Sequence, residues 1–265
     1  HRIIMTNLTK TSLHKIAAMR YEYLESLPRF QDIYLEFMIN ESMCYTIKEN
    51  DIPLGYAIAT NDAVLLEFYL FLPYQNHRTR LFATIVEQLK IESILCKSFD
   101  SILLDCCLLY NFSYSLIGCL FREHTGRTDR KNSNLTYRFA NKIDLPFLLA
   151  QNDEVFEPKE LLAKNIDDES IVIAGNHESP VVACGFLTQV HPQFNYYDLG
   201  IWVDEAYRRK GIASSTMQYM IELCTEKKGI AICGCDIQNV ASQNMLEKLG
   251  FISKHKLIEF TTKKN

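Results

Sequence analysis

The strongest constraint on this chain is an order of hydrophobic patterns that occurs twice. In residues 134–265, Thr136 to Ala140 reads as a strand, and Asp144 opens a helix with Pro146 in its first turn. A second short helix is expected after Glu157-Pro158. The run Ser170 to Ala174, the turn Gly175 to Pro180 and the run Val181 to Val190 predict a hairpin, with another strand from Tyr196 to Val203. Ala213, Met217, Met220, Ile221 and Cys224 fall at helical spacing, and Lys227-Lys228-Gly229 ends that helix. Ile230 to Cys235 predicts a buried strand, Asn239 to Leu249 a helix, and Gly250-Phe251 a closing pair of strands.

Residues 1–128 follow the same order more faintly. Arg2 to Met5 reads as a strand, followed by helical patterns over Leu8 to Leu27 and Phe30 to Ile39. Met43 to Ile47 and Gly55 to Ala59 predict a hairpin, and Val64 to Leu72 the next strand. Phe82, Ile85, Val86 and Leu89 predict a helix, Ile102 to Cys107 a strand, and Asn111 to Cys119 a short helix. The mixture makes the chain α/β (α+β), and the shared order predicts a duplicated domain. The polar stretch Glu123 to Ser133 has no periodic apolar residues, so it is the expected linker between domains 1–128 and 134–265. With 265 residues, each half is large enough to bury its own core.

Composition excludes several classes. Lys and Arg number 28 against 32 Asp and Glu, a formal charge of −4, which argues against nucleic acid as the partner. Charges interrupt every apolar run well short of the ~20 residues that span a bilayer, so no membrane partner is expected. The nine Cys are an odd number, sit mostly in apolar segments and follow no visible secretory signal. They predict buried thiols in a cytoplasmic, reducing compartment. Cys233-Gly234-Cys235 lacks a second ligand pair, so core packing is expected there and no metal.

The segment that carries chemistry is Asp198 to Ser214. A buried strand enters a cationic turn, Arg208-Arg209-Lys210, whose Gly211 leads directly into a long helix. Free N–H groups of the first helical turn and the macrodipole favour an anion, and a glycine lets a phosphate approach the backbone. The plainer reading is a solvated basic turn capping a helix. The loop lacks the Lys-Ser/Thr ending of a nucleoside-triphosphate loop and the three-glycine spacing of a dinucleotide fold.

Arg208-x-x-Gly211-x-Ala213 after a strand ending in Val203 resembles the pyrophosphate-binding motif of the GNAT superfamily of acyl-CoA-dependent N-acetyltransferases. Asn239 to Phe251 is similar to that superfamily's second motif, in which an Asn opens a helix beside the pantetheine arm and Gly-Phe closes it. The resemblance covers about residues 134–262. It implies two tandem domains, each a mixed, mostly antiparallel sheet flanked by helices, with acetyl-CoA as cosubstrate. Ile201, Trp202 and Val203 would lie along the pantetheine, with Ile201 and Val203 offering backbone groups. Arg208, Arg209, Lys210, Gly211, Ile212, Ala213 and Ser214 would hold the pyrophosphate, and Asn239 and Ser242 would meet the pantetheine region.

The implied activity is acetyl transfer to a primary amine by direct attack in a ternary complex, which calls for a base, an oxyanion donor and an acid for the leaving thiolate. Many members carry a Tyr four residues before the Gly-Phe glycine, where this chain has Leu246. Asn239-x-x-Ser242 instead resembles the ribosomal-protein N-terminal acetyltransferases, which nominates Ser242 as thiolate donor. Its plainer reading is a helix-terminal hydroxyl bonded to backbone. Asp198 is the candidate base, acting through water, against the alternative of a solvent-facing strand carboxylate. Trp202 is also expected to pack in the core, and His191 either lines the acceptor cleft or is simply exposed.

At the corresponding place the first half reads Pro73-Tyr74-Gln75-Asn76-His77-Arg78-Thr79-Arg80, with no glycine. Side chains there obstruct a pyrophosphate, so a degenerate, non-catalytic copy is expected, with Arg78 and Arg80 still available for weak cofactor binding. Tandem members occur among antibiotic- and thiol-modifying enzymes and among secreted effectors that act in a host cytosol. The acceptor is an amine, of a small molecule or a protein. The competing class, kept open by Leu246, is a non-catalytic acyl-CoA-binding sensory or interaction module. Oligomeric state is open.

Overall fold

The structure is a computed structural model and describes residues 6–127, 134–151 and 153–263. It divides into two compact units: residues 1–119, 236–238 and 255–265, and residues 120–235 and 239–254. The boundary between the units falls inside a strand, and the last strand of the chain belongs to the first unit.

In the first unit, β1 (Thr6–Thr11) precedes a 3-10 turn at Leu13–Ile16 and α1 (Ala17–Ser26). Then come α2 (Ile33–Asn40), β2 (Met43–Glu49), β3 (Ile52–Ala59), β4 (Val64–Leu70), a 3-10 turn at Leu72–His77, α3 (Arg78–Gln88), β5 (Ser93–Lys97) and α4 (Ser101–Leu109). The chain passes into the second unit within β6 (Ser113–Phe121). Its elements are β7 (Glu123–His124), β8 (Thr136–Phe139), α5 (Leu145–Leu149), α6 (Lys159–Asp167), β9 (Ile171–Gly175), β10 (Ala183–His191) and β11 (Phe194–Val203). They continue with α7 (Ile212–Glu226), β12 (Ile230–Asp236), α8 (Val240–Lys248) and β13 (Phe251–Ile252), and β14 (His255–Thr261) closes the first unit.

The sheets share a plan. The first unit's strands run β1-β2-β3-β4-β5-β14, all antiparallel except β4 and β5. In the second unit β8-β9-β10-β11-β12 are antiparallel except β11 and β12. The mixed, mostly antiparallel sheets and the repeated order follow the sequence reading. So do most second-half elements, where strand and helix periods are distinct.

The first half holds the errors. The helix read from Leu8 begins only at Leu13, because Thr6–Thr11 alternates its exposure and pairs with β2 from Thr6↔Glu49 to Thr11↔Cys44. The strand read over Ile102 to Cys107 is α4. Apart from Asp105 that run is apolar and fits either period, and the Asp100 carboxylate decides the matter by accepting the Leu103 N–H at 3.2 Å. The helix read over Asn111 to Cys119 is β6, entered through Asn111 at φ +52°. Strand β5 went unread because five residues ending in a lysine carry little signal. The strand at Arg2 to Met5 lies outside the described residues, as do residues 128–133 of the expected linker. Glu123 and His124 of that linker are β7, paired with β13.

Candidate active site

Strand β11 pairs with β12 over three residues only, Tyr196 to Asp198 against Ile230 to Ile232. Beyond Asp198 the strands part, leaving the Leu199–Val203 edge open on one side while β10 holds the other through Leu187↔Leu199 to Ala183↔Val203. Such an edge offers backbone donors and acceptors to an extended ligand. Alternation sends Trp202 into the core against Phe156, with ring centroids 5.2 Å apart, so its side chain is a packing group and only its backbone lies along the open edge.

The cationic turn follows from local chemistry. Asp204 Oδ1 accepts the Ala206 N–H at 2.9 Å and starts a 3-10 turn at Glu205–Tyr207. Arg208 donates from Nε to the Val203 carbonyl at 3.1 Å and from Nη1 to Glu205 at 3.3 Å, so here its guanidinium ties the turn together. Lys210 Nζ lies 5.0 Å from the Tyr207 ring centroid. Arg209 (φ +62°) and Gly211 (φ +75°) are left-handed, and Gly211 caps α7 without any side-chain acceptor for the helix's first N–H groups. A Cβ on Gly211 would have nothing within 4 Å, so the space before α7 is open. Ile212 anchors the first turn among Leu135, Ala174, Val182 and Ala183, while Ala213 and Ser214 stay half-exposed. Gly185 on β10 lets α7 approach, since a Cβ there would collide with Met220.

On the far side of the parting strands, Asn239 caps α8, its Oδ1 accepting the Ser242 N–H at 3.0 Å. The Asn-x-x-Ser spacing is thus one turn of a capped helix, with Ser242 half-buried in it. Leu246, one turn on, is buried and puts no hydroxyl at the tyrosine position. Asp198 is buried and lies opposite Thr188 at the point of parting, so the solvent-facing alternative does not describe it. Burial, followed by the Asp198 charge, pushes the Cys233 thiol well up. His191 accepts the Gln193 N–H at its hairpin end and packs edge-on to Phe194 at 5.4 Å.

The first unit repeats the parting of strands but not the loop. β4 and β5 pair in parallel at Val64↔Ser93 and Leu65↔Ile94. Arg78, where the loop glycine would stand, has ordinary right-handed geometry (φ −53°), and its guanidinium meets Asp105 at 2.6 Å. Arg80 meets Glu49 at 2.6 Å. Both cations expected to remain available are therefore paired within the unit.

Sequence reasoning missed what lies behind this copy. Arg20, Tyr23, Gln31, Glu36, Tyr56, Glu67, Lys97 and Asp100 form one hydrogen-bonded network, and none is more than 5% exposed. Arg20 bridges Glu36 at 2.6 Å and Glu67 at 2.9 Å. Burial alone would raise the Glu67 carboxyl, but Arg20, Lys97 and the Tyr56 hydroxyl hold it below the usual carboxylate range. The residues come from five helices and strands and two loop positions far apart in sequence, so no spacing revealed them.

A mixed sheet that parts beside a glycine-capped helix sets open backbone groups next to an anion-accepting helix start. A profile of the Acetyltransferase (GNAT) domain matches residues 12–124, and one of the Acetyltransferase (GNAT) family matches residues 137–251. YjdG of Bacillus subtilis (strain 168), an uncharacterized N-acetyltransferase, is 30% identical over 120 residues, 41% of this chain and 70% of that protein. The chain belongs to the GNAT acetyltransferase family and carries two such domains in tandem. A GNAT-family acetyltransferase from Colwellia psychrerythraea shares the fold at TM-score 0.85 and 19% identity, covering 98% of this chain and 100% of its own. A tandem GNAT protein of the clavulanic acid biosynthesis pathway does so at TM-score 0.67 and 8% identity, covering 98% and 100%. Among the described residues, no helix is long and apolar enough to cross a membrane.

Proposed function

We propose that the second unit transfers an acetyl group from acetyl-CoA to a primary amine by direct attack in a ternary complex. The observation that carries this reading is the parting of β11 from β12 directly before a left-handed glycine that opens α7. The loop N–H groups, with Arg209 and Lys210, suit the pyrophosphate, and the open Ile201–Val203 edge suits the pantetheine amides. Arg208 would leave Glu205 to join them. Asp198, at the head of the cleft, would take the ammonium proton through water, and Ser242 would protonate the leaving thiolate. The acceptor would be a small-molecule amine or a protein amine, favoured by the acidic chain.

Calorimetric titration of acetyl-CoA into wild type and Gly211→Arg, with thiol release followed over a panel of amines, tests this. One site lost in the variant and amine-dependent thiol release are expected. Binding that survives Gly211→Arg would move the cosubstrate to the first unit. Binding with no turnover on any amine would favour an acyl-CoA sensor, the reading that the buried Leu246 keeps in play.

A further inference from the structure

Strand β11 presents different side chains to its two faces. Leu199, Ile201 and Val203 alternate onto the face that α7 covers, where Ile201 and Val203 pack with Ile212. Asp198, Gly200 and Trp202 share the other face with their cross-strand partners Thr188, Phe186 and Cys184. Phe156 closes over Trp202 there, while Gly200, Phe186 and Thr188 stay half-buried.

Neither backbone nor packing calls for a glycine at position 200. The glycines with positive φ among the described residues are Gly126, Gly211 and Gly250. A Cβ on Gly55 would collide with the Tyr69 carbonyl, and one on Gly185 with Met220. On Gly200 the nearest atoms it would meet are Cβ and Cδ2 of Phe186, each at 3.6 Å, which is ordinary van der Waals contact. A glycine inside a strand is less favourable than alanine, and where packing does not require one it marks the close approach of another group.

The first unit shows what a side chain does at this place. Glu67 lies two residues past the last parallel pair of β4, as Gly200 does in β11. Phe68 packs on Phe82 of α3, so Glu67 alternates onto the face away from that helix, opposite Ile58. There it is fully buried and bonded to Arg20 and Tyr56, which fills the face that Gly200 leaves clear.

We propose that Gly200 is a specificity-determining residue that sets how bulky an acceptor the second unit takes, with the acceptor's carbon skeleton lying over Gly200 against Phe186 on the Asp198 face of β11. The inference rests on the acyl transfer proposed above. The cosubstrate's groups lie elsewhere: the strand edge offers its backbone in the plane of the sheet, whereas a side chain at 200 stands perpendicular to it.

The test compares the full-length chain with Gly200→Ala and Gly200→Val. Both variants should melt at or above the wild-type temperature, because they lose no contact and suit a strand better. Calorimetry should give acetyl-CoA affinities within about twofold of wild type. Thiol release is then followed with two pairs of acceptors that differ in bulk: ethylamine and 2-phenylethylamine, and short peptides beginning with Ala and with Phe. Gly200→Val should lower kcat/KM for the larger member of a pair by about tenfold or more relative to the smaller, and Gly200→Ala by less. An unchanged ratio in the folded variants, or wild type that turns over only the smaller members, overturns the inference and leaves the transfer reading standing. Weakened acetyl-CoA binding would give the space to the acyl group, and a lowered melting temperature would make Gly200 a packing glycine; either overturns the inference alone. Wild type that turns over no acceptor overturns the transfer reading and this inference with it.

Discussion

Helices α3 and α7 hold the same place in their units, one turn past a strand that has parted from its parallel neighbour, yet they begin differently. α7 is capped by Gly211 in left-handed geometry with open space before it, and α3 is capped by His77 at φ −96°, with the following Arg78 pinned to Asp105. The interiors differ as well. Two residues past the last parallel pair the first unit has Glu67, buried in an ionic network, and the second has Gly200. Four residues past it the second unit has Trp202, packed among Phe156, Ile173 and Cys184. One backbone plan thus supports either an open anion-binding loop or a closed loop over buried charge, and the choice turns on a few side chains.

The difference is broken most severely at Arg20. Arg20→Met should cost about 3–5 kcal/mol in urea unfolding, because it strands Glu36 and Glu67 in the interior. Replacing all three by apolar residues of similar volume should restore most of that loss. Trp202→Ala should cost a comparable ~3–5 kcal/mol through lost packing alone, and no second substitution among polar groups should repair it.

Exchanging the loop residues comes next. Gly211→Val should weaken acetyl-CoA by roughly 100-fold in calorimetry, through backbone strain and a blocked approach. Arg78→Gly in the first unit should leave the affinity at the wild-type value.

A smaller effect separates the two helix caps. Ser242→Ala should lower kcat by about tenfold or more with KM for acetyl-CoA nearly unchanged. Asn239→Ala should instead cost ~1 kcal/mol of stability and raise KM.

Acid should act on the first unit. The folded pKa of Glu67 lies below its unfolded value, so its contribution is present above the ordinary carboxylate range and is lost as pH falls through the folded value. The wild-type stability slope at acid pH should flatten in Glu67→Gln. The weakest contrast is among thiols. Burial holds most of them high, with Cys106 and Cys184 pushed up to about 12, and eight of nine are buried. Only half-buried Cys235 should react promptly with a disulfide reagent in the native protein.

The second half was readable because its chemistry is local. A capping Asn, a glycine before a periodic helix and a hairpin with distinct flanking strands each act within a few residues, and each is found where its pattern lies. The misread segments of the first half are those where local signal conflicts or is absent. Ser101–Leu109 is apolar enough for either period, and Ser93–Lys97 is too short and ends in a charge. The pairing of β14 with β5, about 160 residues back, is not legible in the sequence, because no local pattern encodes so distant a partner.

By itself the sequence determined the duplication and the element order of the second unit, since helix caps, glycine geometry and alternation are set by near neighbours. Tertiary structure alone decided that Arg78 and Arg80 are tied to carboxylates, that Asp198 is buried where its strand parts, and that eight scattered side chains meet in one buried network. Those outcomes depend on which distant groups share a low-dielectric interior, where pairing and desolvation rather than spacing fix a charge's role.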